Sequence, residues 1–196
     1  KLTNISQSAG MIIESFDVQC FVGETRIYSL STVFGFFPLI ALQNQVGLPI
    51  TPQHRKIFDE KSEFEIDLTT FPSKYFEGTT RLADRQLCML DRITGYSQSG
   101  GEFDQGWIRG IKNVDPSEWF FKAHFFQDPV QPGSLGIEAL IQLLQFYMIE
   151  SDLIKHESLQ KQNPRFEPLA LERSMKWKYR GQVVPHNCRW CIWLLK

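Results

Sequence analysis

Apolar and polar positions alternate in part over residues 11–22 and 25–34, and β-branched and aromatic residues are frequent in both runs. Period-two alternation marks strands with one face buried. The runs meet at Gly23-Glu24, so they predict a long antiparallel hairpin, ended by Gly35-Phe36-Phe37-Pro38. Over 39–80 the pattern breaks up: Pro49, Pro52, Pro72 and Gly78 interrupt it, and a charged stretch runs from His54 to Asp67. That predicts a linker with a short helix near 38–45, and His54 among Gln, Arg and Lys reads as a solvated side chain. A polar, glycine-bearing turn follows over Ser97 to Asp104, then a strand from Gly106 to Val114.

Asp115-Pro116-Ser117-Glu118 has the form of a helix start, with Asp as cap, Pro at the first helical position and Glu three after the cap. The short helix it opens delivers Trp119, Phe120 and Phe121. Pro129 and Pro132 keep 127–133 out of any helix. From about Ser134 to Ile149 the chain is apolar almost all the way round, which predicts a buried helix. Residues 150–168 are polar, carry Pro164 and Pro168, and read as an exposed loop in which His156 has no partner pattern. The clearest strand is 173–184, where Met175, Trp177 and Tyr179 alternate with Lys176, Lys178 and Arg180.

Composition narrows the class. At 196 residues the chain allows one domain, or one and part of another, and 42% hydrophobic with 22% charged residues is ordinary for a soluble globular protein. A net charge of −1 gives no electrostatic argument for nucleic acid or an anionic membrane. No run of eighteen apolar residues predicts a membrane-spanning helix. No signal peptide is recognisable, and a chain opening on Lys1 reads as a piece of something larger. The four cysteines, Cys20, Cys88, Cys188 and Cys191, make no secreted-type disulfide framework. Cys188-x-x-Cys191 with His186 is one ligand short of a closed zinc site, and no second pair exists. They read as free thiols of a cytoplasmic protein.

One stretch gathers candidate chemistry. At 100° per residue Glu138, Gln142 and Gln145 share a narrow stripe of the buried helix, which carries a carboxyl inward about one turn from the helix start. A carboxyl withdrawn from water favours its neutral, proton-donating form. Gly133 and Ser134 open the helix, with free N–H groups and the positive dipole end, where a developing oxyanion can be held. His124 lies in the aromatic run just before. Against this stand plainer readings: a packed, hydrogen-bonded histidine and a structural ion pair at Glu138. Asp128 before Pro129 caps or turns the loop. Ser134, outside any G-x-S-x-G elbow, is a cap or a donor near the oxyanion position rather than a nucleophile.

His124-Phe-x-x-Asp128-Pro129-Val-x-Pro132-Gly133-Ser134-Leu-Gly136-x-Glu138-Ala-x-x-Gln142-Leu resembles the active-site signature of the hotdog-fold beta-hydroxyacyl-acyl carrier protein dehydratases. The resembling branch is that of the dehydratase domains of bacterial polyunsaturated fatty acid synthases, which are polyketide-synthase-like. Leu87 to Gly95 resembles the family's first strand, and Gly181-Gln-Val-Val-Pro185 matches again. The resemblance implies an α+β fold, a bent antiparallel sheet wrapped around the central helix, possible as half of a double hotdog. It implies His124 and Glu138 as the catalytic pair, the Gly133 N–H on the thioester carbonyl, and Ser134, Gln142 and Asp128 in support. It reads Phe121, Phe125 and Phe126 as the wall of an acyl tunnel, and Trp119 and Phe120 as core. No metal or organic cofactor is implied; the substrate rides on the phosphopantetheine of an acyl carrier protein, and the basic 173–184 face reads first as a solvated face and second as a surface that meets that carrier. The implied site lies between two hotdog units, as a homodimer or pseudo-dimer.

The Asp128-Pro129-Val130 loop belongs to the decanoyl-specific branch and Glu138 to the broader one, so dehydration alone and dehydration with double-bond isomerisation both stay open. Competing readings are a non-catalytic scaffold or carrier-docking unit, and an acyl thioesterase, which would not need this histidine–loop–glutamate spacing. The implied organisation is 1–45 as terminal strands of an upstream hotdog unit, 46–80 as linker and 81–196 as the catalytic unit. The resemblance stops before Asn187, so the catalytic unit is expected to lack its final strands, with the N-terminal hairpin filling their place in the sheet.

Overall fold

The computed structural model describes residues 1–44, 49–100, 104–155, 164–167, 177, 181–186 and 190–195, with 53, 54, 57, 155 and 190–195 described by backbone alone. The chain divides into two compact units, Lys1–Val46 and Gly47–Lys196.

The first unit is a three-stranded antiparallel sheet in the order β1 (Leu2–Ser8), β2 (Met11–Val22), β3 (Thr25–Phe36). The expected hairpin is there, turning at Gly23 with φ +59°. β1 is an extra edge strand, which its run of polar residues disguised. The register places Leu2 and Ile5 beside Phe16 and Glu14 of β2, and Phe16, Val18 and Cys20 beside Thr32, Leu30 and Tyr28 of β3. One face is therefore mostly apolar, with Phe16 edge-on to Phe34 at 5.8 Å. The other carries Asn4, Ser6, Ser15, Asp17, Gln19, Ser29 and Ser31. The short helix expected near 38–45 is α1 (Leu39–Gln43).

The second unit begins with α2 (Pro52–Asp59), then β4 (Ile66–Asp67) and α3 (Ser73–Phe76), where the sequence suggested a linker. Leu68, Tyr75 and Phe76 from this stretch are core residues. Apolar residues at irregular spacing carry no periodic signal, yet they pack once the sheet and helix are assembled. The main sheet follows the order β4-β5-β6-β7, with β5 (Arg92–Ser97), β6 (Trp107–Asn113) and β7 (Trp190–Leu195), all antiparallel. β5 starts at Arg92, later than the Leu87 that the resemblance implied. The final residues, without a counterpart in the sequence reading, form β7 along β6 from Ile108, opposite Leu195, to Asn113, opposite Trp190. The N-terminal hairpin does not fill this sheet: among the described residues its strands belong to a separate three-stranded sheet. The strand expected over 173–184 lies largely outside the described residues, as do His156 and Cys188.

Between β6 and β7 come α4 (Trp119–Ala123) and α5 (Gly133–Glu150), the predicted long helix extended by one residue at each end. α5 buries Leu135, Ala139, Gln142, Leu143, Phe146 and Ile149. It packs tightly over Gly110, where a Cβ would come within 2.8 Å of a Leu143 methyl and 3.0 Å of a Leu90 methyl. A long buried helix on an antiparallel sheet is the α+β hotdog architecture.

Candidate active site

α4 is held from both sides. Its start is fixed by Lys112 of β6, whose ammonium bridges Glu118 at 2.9 Å and Asp91 at 3.0 Å. Asp91 also accepts the Asn113 N–H at 2.8 Å. Burial lowers the Lys112 pKa, but the hydrogen bonds and charges of Glu118 and Asp91 outweigh it and raise the pKa overall. Asp115 does not cap α4. Its carboxylate accepts the Ser117 N–H at 2.8 Å in a preceding turn, and the helix begins after Glu118 without a side-chain cap. Phe120 and Phe121 sink into the core, while Trp119 is half in solvent with its indole N–H on the Gln86 carbonyl.

α4 ends at His124, whose backbone N–H donates to the Phe120 carbonyl at 2.9 Å. The loop then closes on itself through paired bonds between Phe125 and Asp128, and the Val130 N–H donates back to the His124 carbonyl at 2.9 Å. The His124 Nδ1 lies 2.9 Å from the Val130 carbonyl oxygen. A carbonyl only accepts, so Nδ1 carries the proton, and in the neutral ring Nε2 holds the lone pair. The Phe125 ring lies against the imidazole, centroids 3.7 Å apart. Next along, the Gln131 N–H donates to the Val183 carbonyl at 2.9 Å, tying the loop to a segment some fifty residues later.

At the start of α5 the N-cap position is Pro132, and no side chain caps it. Ser134 is exposed in the first turn and is not the cap. Among the described residues, neither the Gly133 nor the Ser134 backbone N–H donates to a protein acceptor. Two donors and the positive helix end are thus left open.

Glu138 sits half-buried rather than deep in the interior. Gln142, one turn on and wholly buried, donates to the Glu138 carboxylate at 2.8 Å and to the Leu87 carbonyl at 2.7 Å, and accepts the Met89 N–H at 2.8 Å. The carboxylate is thereby tethered to the 87–89 segment. Among the described residues no hydrogen bond or ion pair joins His124 to Glu138.

Of the three expected tunnel residues, Phe121 is core, while Phe125 and Phe126 stand out at 52% and 88% exposure. Asp128 contributes to the turn through its backbone, and its side chain is exposed. The sequence reading missed Val130 and Val183, which act through backbone carbonyls and so leave no residue-type signal. It also missed Lys112, whose role appears only when β6 meets α4. Among the described residues no group of His, Cys, Asp and Glu is placed to hold a metal ion. No helix among them is long and apolar enough to cross a membrane.

Residues 82–192, more than half of the chain and including the first half of β7, match the FabA-like domain family, and the chain belongs to that family. The match carries past the point where the sequence resemblance stopped. A relative is a polyunsaturated fatty acid synthase component of Thraustochytrium sp., 28% identical over 200 positions that cover 95% of this chain. The chain spans 13% of that relative's length.

Proposed function

We propose that this chain dehydrates a 3-hydroxyacyl thioester, carried on the phosphopantetheine of an acyl carrier protein in the cytoplasm, to the 2-enoyl thioester. The observation that carries the reading is His124 with Nδ1 committed to the Val130 carbonyl, which leaves Nε2 as a base in the loop that leads to the open amides of Gly133 and Ser134. Nε2 removes a proton from the carbon alpha to the thioester carbonyl. Negative charge develops on the carbonyl oxygen, where the Gly133 N–H stabilises it. The bond from the beta carbon to its hydroxyl breaks, and the Glu138 carboxyl supplies the proton that makes the leaving group water. Gln142 holds that carboxyl in place. Proton return from imidazolium to carboxylate resets the pair, so no metal or organic cofactor is required.

His124 and Glu138 are anchored separately, one by the Val130 carbonyl and the other by Gln142. Independent anchoring supports a site completed by a second hotdog unit, as a homodimer or pseudo-dimer, each pair drawn from both. The one-sided apolar sheet of residues 1–45 supports reading it as the terminal strands of such a unit.

The test follows enoyl absorbance from a 3-hydroxyacyl thioester while free thiol is assayed in the same sample. His124→Ala and Glu138→Gln are each expected to lower the rate on the order of 10²–10⁴-fold. Thiol release without enoyl product would replace dehydration by hydrolysis, and wild-type rates in either variant would remove that residue from the mechanism.

A further inference from the structure

We propose that Val183 is a positioning residue of the site: its backbone carbonyl holds the peptide unit that in turn holds the His124 ring, and so keeps the proton on Nδ1 and the base in place. The proposal rests on the dehydratase reading above. The peptide bond between Val130 and Gln131 is trans, so its C=O and N–H point in opposite directions. Both ends are used. The carbonyl oxygen lies 2.9 Å from His124 Nδ1, and the N–H donates to the Val183 carbonyl at 2.9 Å. Imidazole, peptide and carbonyl therefore form one hydrogen-bond chain, from Nδ1–H through the peptide to Val183.

Members of such a chain polarise one another: a peptide whose N–H is drawn to an acceptor offers a better acceptor at its own carbonyl. The effect is larger away from water, and Gln131 is only 9% exposed. The more firmly the Val130 carbonyl binds Nδ1–H, the more completely Nε2 keeps its lone pair.

The loop also depends on this bond for its place. The other backbone bonds of residues 125–131 are local: Phe125 and Asp128 pair with each other, and the Val130 N–H returns to His124. Among the described residues, the bond from Gln131 to Val183 is the one hydrogen bond that ties 125–131 to a part of the chain beyond α4 and α5. Val183 suits the task because its side chain packs against the hydrophobic core. The anchored amide stands between His124 and Gly133 in the chain, so one bond helps to set the spacing of the base from the open amide at the start of α5.

The test replaces Val184 in the full chain by its α-hydroxy acid counterpart. The resulting ester keeps every side chain and breaks no hydrogen bond of the Val184 N–H among the described residues. Without amide resonance, the Val183 carbonyl becomes a weaker acceptor. Val183→Ala, which keeps the carbonyl but loosens its packing, is the second variant. Both are checked for wild-type circular dichroism. In nitrogen-15 NMR of histidine-labelled protein, assigned by the signal lost in His124→Ala, the neutral wild-type ring is expected as one Nδ1–H tautomer. The variants are expected to show a mixture with the Nε2–H form. For a 3-hydroxyacyl thioester, kcat is expected to fall about tenfold, the scale of one hydrogen bond, while KM changes less than about twofold. A single Nδ1–H tautomer in the variants that fold, or a wild-type kcat once the tautomers are mixed, overturns the proposal. Mixed tautomers in the variants when no protein, wild type included, forms enoyl product would support the anchor and count against the dehydratase reading alone.

Discussion

The Gln142 side-chain amide donates to the Glu138 carboxylate at 2.8 Å from one turn further along the same helix. The same side chain bonds both the Leu87 carbonyl and the Met89 N–H, so a single buried amide joins the candidate acid to the strand-side backbone. A carboxyl on a helix face has several rotamers; this tether leaves it few. Gln142→Leu keeps the volume but removes all three bonds and strands the buried Met89 N–H, while the carbonyl of the exposed Leu87 can turn to water. The expected loss is about 1–3 kcal/mol of stability for the orphaned group, read by urea unfolding, with a fall in kcat larger than any change in KM. A variant of unchanged kcat would show that Glu138 positions itself.

The Lys112 bridge to Glu118 and Asp91 ties β6 to the helix that presents His124. All three side chains are largely withdrawn from water, so removing one partner leaves charge without compensation. Glu118→Gln is expected to cost about 1.5–3 kcal/mol, with dehydration slowed because α4 loses its anchor. Thermal unfolding and turnover measured on the same sample check both halves.

Alkaline pH should expose the bond between Tyr75 and Glu150. Burial against Phe146, and then the 2.7 Å hydrogen bond to the Glu150 carboxylate, hold the Tyr75 phenol far above its ordinary pKa of 10.0. The folded state keeps the proton more tightly than the unfolded chain. The stabilisation is therefore complete below about pH 10 and is lost as pH rises further. Tyr75→Phe should be less stable than wild type near neutrality, by about 1 kcal/mol for the hydrogen bond. The gap should narrow as pH rises through about 10 to 11, in urea titrations at a series of pH values. A constant gap would mean that the phenol titrates alike in both states.

Much of the architecture was legible in residue order. The alternation over 11–34 announced the hairpin, and the unbroken apolar character of 134–149 announced the central helix. Both are local periodicities, set by the geometry of strand and helix. The candidate groups were legible too, because His124, Gly133, Glu138 and Gln142 stand in a loop and helix whose prolines and glycines set their spacing. The core contribution of Leu68, Tyr75 and Phe76 was not legible, nor was the pairing of the last residues with β6. Those depend on surfaces that exist only after distant segments meet.

Residue order alone dictates that α5 forms and which side chains share its faces, since dihedral preferences and periodicity act over a few residues. How those side chains are held is a property of the assembled fold. The proton on His124 Nδ1 is set by a carbonyl of Val130, whose loop is pinned by Val183, and Glu138 is steadied by a glutamine bonded to residues 87 and 89. Each of these bonds uses a backbone group, and three of them join segments far apart in the chain. Backbone groups are alike in nearly every residue, so no pattern of side chains announces them. Their meaning comes from where the fold places them.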